Sequence, residues 1–320
     1  MAEFIGTEGD DILDTDPGHG NNRADIVRGF GGNDYIKEGG GDDTLEGGEG
    51  DDVIVGGPGD DRIDGGPGWD TVSYAPAPEG VRIDLSLTGP QITNGVPGAD
   101  LLISIESIIG TVYDDVLKGD AGPNTISGRS GDDSIVGRDG QNYLRGDNGA
   151  DTIIGGADFD DINGNMGDDS AAGGLGEDWV VGGKDNDRLS GGADYDLVYG
   201  NLGNDTCDGD EGNDIVRGGQ GNDIVRGGDG DDYVSGDRGD DTMIGGAGAD
   251  IFHSFGDADL DRIVDFNLAE GDRVQLDPGD TWTAAQVGAD TVITVSGKAQ
   301  VVLVGVTLSS LSGDWIFVGG

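Results

Sequence analysis

The sequence predicts an all-β fold, a solenoid of short strands wound into stacked coils, and three observations predict it. A nine-residue phrase recurs without a gap over residues 110–253, glycine opens each of its sixteen copies, and the eighth position is almost always apolar. Repetition at a short fixed period marks a chain whose units bury their apolar faces only against one another.

Composition sharpens the problem that such a fold must solve. The 320 residues include 67 Gly, 65 Asp plus Glu and only 17 Lys plus Arg, a net charge of -48. Low hydrophobicity with high net charge ordinarily leaves a chain disordered, but a disordered acidic tract needs no strict period. The charge excludes nucleic acid and anionic lipid as partners, because both demand basic surfaces. It favours a multivalent cation. The single Cys207 excludes an internal disulfide framework, and no CxxC or Cys/His cluster is present to hold zinc. No apolar run approaches a membrane span. The opening "MAEFIGTEGDDILD" lacks the basic and apolar regions of a Sec signal, which taken alone suggests a cytoplasmic protein.

The elements are taken in chain order. Residues 1–19 form an N-terminal cap holding one isolated unit, "GTEGDDILD" at 6–14, out of phase with the arrays by five positions. Residues 20–73 form a first array of six nonads, with Asp25, Asp34, Asp43, Asp52, Asp61 and Asp70 at the sixth position. Residues 74–109 break the consensus, yet their length is that of four nonads, so the flanking arrays share one phase. This insert is expected to form two longer coils stacked in line with the rest, with strands near Val81–Leu87 and Leu101–Ile105. Residues 110–253 form the second array. Its sixth positions are Asp115, Asn124, Asp133, Asn142, Asp151, Asp160, Asp169, Asp178, Asp187, Asp196, Asp205, Asp214, Asp223, Asp232, Asp241 and Asp250. Its eighth positions run from Leu117 to Phe252, aliphatic in most units, with Ala171 and Cys207 among the departures. Residues 254–320 alternate apolar with polar residues in "RIVDFNLAEGDRVQL", "DTVITV", "QVVLVGV" and "DWIFV". They are expected to form antiparallel strands around Trp282, Trp315 and Phe317, capping the open end of the stack.

The spacing points to chemistry. Glycines at positions one, two and four permit positive φ and close backbone approach. A six-residue turn followed by three extended residues reverses the chain, so two nonads close one circuit, with the eighth side chain pointing inward. Stacked circuits then place each Asp-bearing turn over the turn two nonads away, where carboxylates and freed carbonyls form a cage made of oxygen. Such a flexible, oxygen-only cage suits calcium. Magnesium demands a tighter octahedron, and softer metals want His and Cys. One buried aliphatic side chain per nonad is too little to offset the ordering of the chain and the repulsion of its carboxylates. Folding is therefore expected to be conditional on the ion, with about 18 sites at most if each needs two stacked turns.

The phrases "GGQGNDIVR", "GGDGDDYVS", "GGEGDDVIV" and "GGPGDDRID" resemble the GGxGxDxUx nonapeptide of the RTX (repeats-in-toxin) family. The resemblance implies a right-handed parallel β-roll with the sixth-position Asp residues as calcium ligands. The tail is similar to the β-sandwich-like cap that closes the repeats of serralysin-type proteases. The resemblance further implies export by type I secretion machinery and folding in calcium outside the cell, as an extracellular or surface-associated protein. "DWIFV" at 314–318 is similar to the C-terminal signals of that route. This reverses the cytoplasmic reading. Departures from the motif weaken individual sites: Asn124 and Asn142 lose a carboxylate, Asp158, Asp185 and Asp194 replace the fourth-position Gly, Glu38 replaces a first-position Gly, and Ala171 fills an inward position.

No catalytic constellation accompanies the repeats. With only His19 and His253 an HExxH zinc motif is impossible, and neither a GxSxG elbow nor a GxxxxGK[ST] loop occurs. His253 reads as a rim residue and Cys207 as a small core residue. Asp257, Asp259 and Asp261 alternate as in a calcium loop but lack its Gly and Glu, and read as a solvated turn. Tyr143, Phe159, Trp179, Tyr195 and Tyr199 form either an outward stripe facing carbohydrate or protein, or mixed surface decoration. The expected function is a non-catalytic structural, adhesive or matrix role toward a cell-surface or polysaccharide target. The alternative is a calcium-dependent accessory or secretion module of a secreted protease, lipase or alginate epimerase.

Overall fold

The computed structural model describes residues 2–15, 23–93, 98–254, 259–296 and 299–319. The chain is an all-β parallel solenoid that divides into two compact units, Met1–Gly156 and Ala157–Gly320, the division falling inside the second array. Among the described residues the one helical element is a single 3-10 turn at Leu308–Ser310, and no helix is long and apolar enough to cross a membrane.

In the second unit, alternate nonads build two parallel ladders. One runs through Asp160–Met166, Trp179–Lys184, Leu197–Leu202, Ile215–Gln220, Tyr233–Arg238 and Ile251–Ser254. The other runs through Ser170–Leu175, Arg188–Ala193, Thr206–Glu211, Ile224–Asp229 and Thr242–Ala247. Partners lie two nonads apart, as in Val198↔Val216↔Val234. The strands are longer than the three residues that the phrase suggests. Ile215–Gln220 continues through positions one to three of the next nonad, because the extended chain keeps pairing on both sides of the first-position glycine. Two positions of each strand face inward, the eighth and the first. Val180, Val198, Val216, Val225 and Val234 are fully buried at the former, while glycine at the latter leaves room for the sixth-position carboxylate of its own nonad.

The first unit follows the same plan with interruptions. Glu3–Ile5, Ile26–Gly31, Thr44–Glu49, Arg62–Asp64 and Ala99–Ile103 pair in parallel, and Gln91–Ile92 adds an antiparallel edge. A second ladder links Ile12–Asp14, Tyr35–Lys37, Val53–Val55, Thr71–Ser73, Ser107–Ile109, Thr125–Ser130 and Asn142–Asn148. A third begins with Arg82–Asp84 and continues through Val116–Lys118, Ser134–Arg138 and Thr152–Gly156. The isolated unit at 6–14 is stacked in register despite its phase, since Ile12 pairs with Tyr35 of the first array.

The insert does not make two full coils. Thr71 pairs directly with Ser107, so the whole insert advances that ladder by one layer. The difference is spent on Arg82–Asp84, which starts a new ladder, and on Ala99–Ile103, which closes an old one. The strands are also shorter or shifted relative to Val81–Leu87 and Leu101–Ile105.

The tail departs from the antiparallel expectation. Arg273–Leu276 and Ile316–Val318 extend one ladder in parallel, and Leu260–Ile263 with Ala299–Leu303 extends the other. Among the described residues of the tail, only Trp282–Val287, Asp290–Val295 and Ala299–Leu303 pair antiparallel among themselves. Alternation of polar and apolar residues is common to parallel and antiparallel strands, so the sequence pattern does not distinguish them.

Candidate metal centre

The sixth-position residues form buried columns along the turns. In the second unit the backbone N–H of Asp160 donates to Asp178 Oδ1, and the pattern repeats from Asp178 to Asp196, Asp196 to Asp214 and Asp214 to Asp232, each at 2.8 Å. On the other edge Asp169, Asp187, Asp205 and Asp223 donate to Asp187, Asp205, Asp223 and Asp241 at 2.8–2.9 Å. In the first unit Asp25 donates to Asp43 and Asp43 to Asp61, Asp34 to Asp52 and Asp52 to Asp70, and Asp115 to Asp133 and Asp133 to Asp151. All twenty sixth-position Asp residues are at most 3 % exposed.

Each bond uses one carboxylate oxygen. The second, Oδ2, is buried without a hydrogen-bond partner at Asp34, Asp43, Asp52, Asp61, Asp70 and Asp133 in the first unit. The same holds in the second unit at Asp178, Asp187, Asp196, Asp205, Asp214, Asp223, Asp232, Asp241 and Asp250. A buried anionic oxygen with no donor is strongly unfavourable unless a cation meets it.

The glycines show what surrounds that oxygen. A Cβ built on Gly209 would lie 2.5 Å from Asp214 Oδ2 and would also collide with the Gly227 carbonyl oxygen of the neighbouring coil. Two acceptors thus border one small space that no side chain can enter. At position four the left-handed backbone persists without glycine, with φ of 67° at Asp158, 76° at Asp185 and 79° at Asp194. Asp tolerates that region better than most residues.

Electrostatics carry the same message. Burial pushes Asp133, Asp178 and Asp187 up to about 8, against the N–H bonds that pull them down, and neighbouring carboxylates add to the rise. Asp196, Asp214, Asp223, Asp232 and Asp250 reach about 7 for the same reason. Among the described residues no three His, Cys, Asp or Glu side chains converge to hold a metal. A cation in these turns must therefore complete its shell from backbone carbonyls, which suits a hard ion with flexible coordination. The donor set fits calcium.

The columns also contain acids that the repeat spacing missed. Asp11 donates its N–H to Asp34 Oδ1 at 2.8 Å, while Asp61 donates to Asp100 Oδ1 at 3.2 Å, Asp70 to Glu106 Oε2 at 2.9 Å, and Asp250 to Asp272 Oδ1 at 3.2 Å. Asp261 is fully buried beside Asp241, accepts from Ser254 Oγ at 2.9 Å, and keeps Oδ1 without a partner. All five share one local signal: an acid followed two positions later by a buried or partly buried aliphatic residue, Leu13, Leu102, Ile108, Ile263 or Val274.

The departures have distinct environments. Asn142 Nδ2 donates to Gly140 O at 2.8 Å, so this amide satisfies its turn internally. Glu38 is 2 % exposed with Oε2 unpartnered, and burial followed by the adjoining Asp43 carboxyl pushes it up to about 9. Cys207 is fully buried and burial drives its thiol well above the usual range. His253 is not on the rim. It is 4 % exposed, lies 5.6 Å from the Tyr233 ring, and places Nε2 3.3 Å from Asp277. Asp259 and Asp261 belong to the closing segment, whereas His19 and Asp257 lie outside the described residues.

Stacked parallel coils with a carboxylate in nearly every turn define a repeat solenoid of the ion-binding kind. The family described as the RTX calcium-binding nonapeptide repeat matches residues 18–45, 39–72, 109–144, 145–180, 181–216 and 217–252. These matches cover well over half of the chain, and the chain belongs to that family: it is a calcium-binding RTX β-roll. No curated protein matches its sequence. Among solved structures it is similar to the extracellular lipase LipA from Serratia marcescens, at 18% identity and a TM-score of 0.21. The similarity covers 93% of this chain and 40% of that one, so the chain spans well under half of the lipase's length.

Proposed function

We propose that this chain is a secreted β-roll that folds on binding calcium outside the cell and serves a non-catalytic structural or adhesive role. The observation that carries this reading is the row of buried Oδ2 atoms without donors, repeated turn after turn. In calcium-poor surroundings the columns repel and the chain stays open, a form suited to export through a type I channel. At extracellular calcium, ions between successive turns neutralise the carboxylates and the coils close. The sixth-position Asp residues from Asp25 to Asp250 are the proposed ligands, for about 18 ions at most. Asn124, Asn142 and Glu38 mark turns expected to bind differently.

Circular dichroism through a calcium titration, with magnesium as control, tests the reading. Strand signal should appear only with calcium, at roughly 0.1–1 mM as for extracellular modules. A spectrum indifferent to chelator would refute ion-conditional folding. Removal of residues 314–318 should separately abolish export by a type I exporter while leaving calcium-dependent folding measurable.

A further inference from the structure

The regular register places one group of side chains that calcium binding does not use. Position five of three successive coils on one edge carries Phe159, Glu177 and Tyr195, each two nonads from the next. Trp179, at position seven of the middle coil, pairs in register with Leu197. These residues and Asp178 line a cavity of about 270 Å³. Three aromatic rings are left standing in solvent there, with Phe159 40%, Trp179 46% and Tyr195 42% exposed.

The geometry points to a binding site for a quaternary ammonium group: we propose that Phe159, Trp179 and Tyr195 form an aromatic cage with Glu177 as its counter-ion. Phe159 and Tyr195 lie two layers apart, about 9–10 Å along the stack, with Glu177 at the same position of the layer between them. Ring faces attract cations most strongly where these are poorly hydrated, and methylated ammonium is the common case. Glu177 supplies a negative charge at the cavity, Asp178 beside it belongs to the column, and no basic side chain lines it. The net charge of -48 draws cations to the surface. A neutral sugar would gain nothing from that field. Methylated ammonium also lacks the small hard charge that the oxygen columns select, so it does not displace calcium from them.

The test is calorimetric titration of the full chain, saturated with calcium, with tetramethylammonium chloride. Choline and phosphatidylcholine vesicles in parallel arms separate a free ligand from a lipid headgroup, and glucose is the neutral comparison. Saturable binding of tetramethylammonium is expected, weakened about three- to thirty-fold by Trp179→Ala or Phe159→Ala and less by Glu177→Gln. The two aromatic variants keep the net charge, so a diffuse ionic atmosphere would bind them as well as the parent, and that result overturns the proposal. Absence of saturable heat, or binding of glucose in place of tetramethylammonium, overturns it too. All three positions are exposed, and an unchanged calcium-saturated dichroism spectrum verifies that each variant folds.

Discussion

Within the second unit, the repeats of residues 160–254 and the closing segment of residues 260–318 share ladders yet are held by different forces. In the repeats, each nonad buries one apolar side chain and one carboxylate, as Val216 alternates with Asp214 and Asp223. In the closing segment, Ile263, Val274, Leu276, Ile293, Val295, Val301 and Leu303 are all fully buried. Phe252 and Phe266 meet with ring centres 6.2 Å apart, and Trp282 meets Trp315 edge-on at 5.7 Å. The same parallel pairing can thus be stabilised by apolar burial or, where the interior is anionic, by ions between layers. Dependence on calcium should fall from the repeats toward the hairpin Trp282–Leu303.

Removing calcium is the largest way to break this contrast. Hydrogen exchange in increasing chelator should strip protection from residues 160–250 first and from 290–303 last. Equal loss in both regions would contradict the division. Point substitutions sharpen it. Asp205→Ala deletes a carboxylate and the acceptor of the Asp187 N–H, a 2.8 Å bond, and should raise the calcium midpoint several-fold. Ile293→Ala, from the aliphatic hairpin, should cost about 2–5 kcal/mol by truncation of a buried side chain. That loss should persist at saturating calcium, where melting temperature reads it. A calcium midpoint unmoved by Asp205→Ala would mean that this turn holds no ion.

Acid should act on the two regions in different ways. Folding lifts the column carboxylates from an ordinary value near 3.8 to about 7 at Asp196 and about 8 at Asp178. A group raised on folding binds more protons in the folded chain, so it adds stability as pH falls through its folded value and withholds it as pH rises. In chelator, the repeats should therefore gain strand signal between about pH 8 and pH 4, as protons take the place of calcium. With calcium present the same protons compete, and the calcium midpoint should rise as pH falls from about 8 to 6. The hairpin's aliphatic core gives it no such response. Dichroism of the metal-free chain across this range reads the effect, and a strand signal that falls on mild acidification would reverse the sign.

The repeats were legible because nine-residue spacing fixes at once the inward residue, the turn and the position of the acid. What escaped was whatever kept the local phrase but lost the period or the consensus around it. Asp11, Asp100 and Asp272 join the columns across gaps of 23, 39 and 22 residues, which no two-nonad frame finds. Glu106, 36 residues from Asp70, keeps the frame but lies in the non-consensus insert, and the acid-x-aliphatic pair remains in all four. Strand direction in the tail escaped for another reason. Alternation of polar and apolar residues records which face is buried, not which neighbour pairs. His253 was misplaced because position nine usually faces out, whereas here Asp277 and the Tyr233 ring enclose it.

The smallest expected effect guards against a competing account, in which ion pairs on the outer faces hold the coils together. Arg217 is the best-placed example in the repeats. Its Nε and Nη2 donate to both Asp237 oxygens at 3.1 and 2.9 Å, with the two side chains 36% and 17% exposed. A partly solvated pair of this kind is screened by salt and contributes roughly 0.2–1 kcal/mol. Arg217→Ala should accordingly lower the melting temperature of the calcium-saturated chain slightly, and less at high salt. It should leave the calcium midpoint where it was. A shift as large as that of Asp205→Ala would move the source of stability from the interior columns to the surface. The repeats and the hairpin would then differ only in how much apolar area they bury.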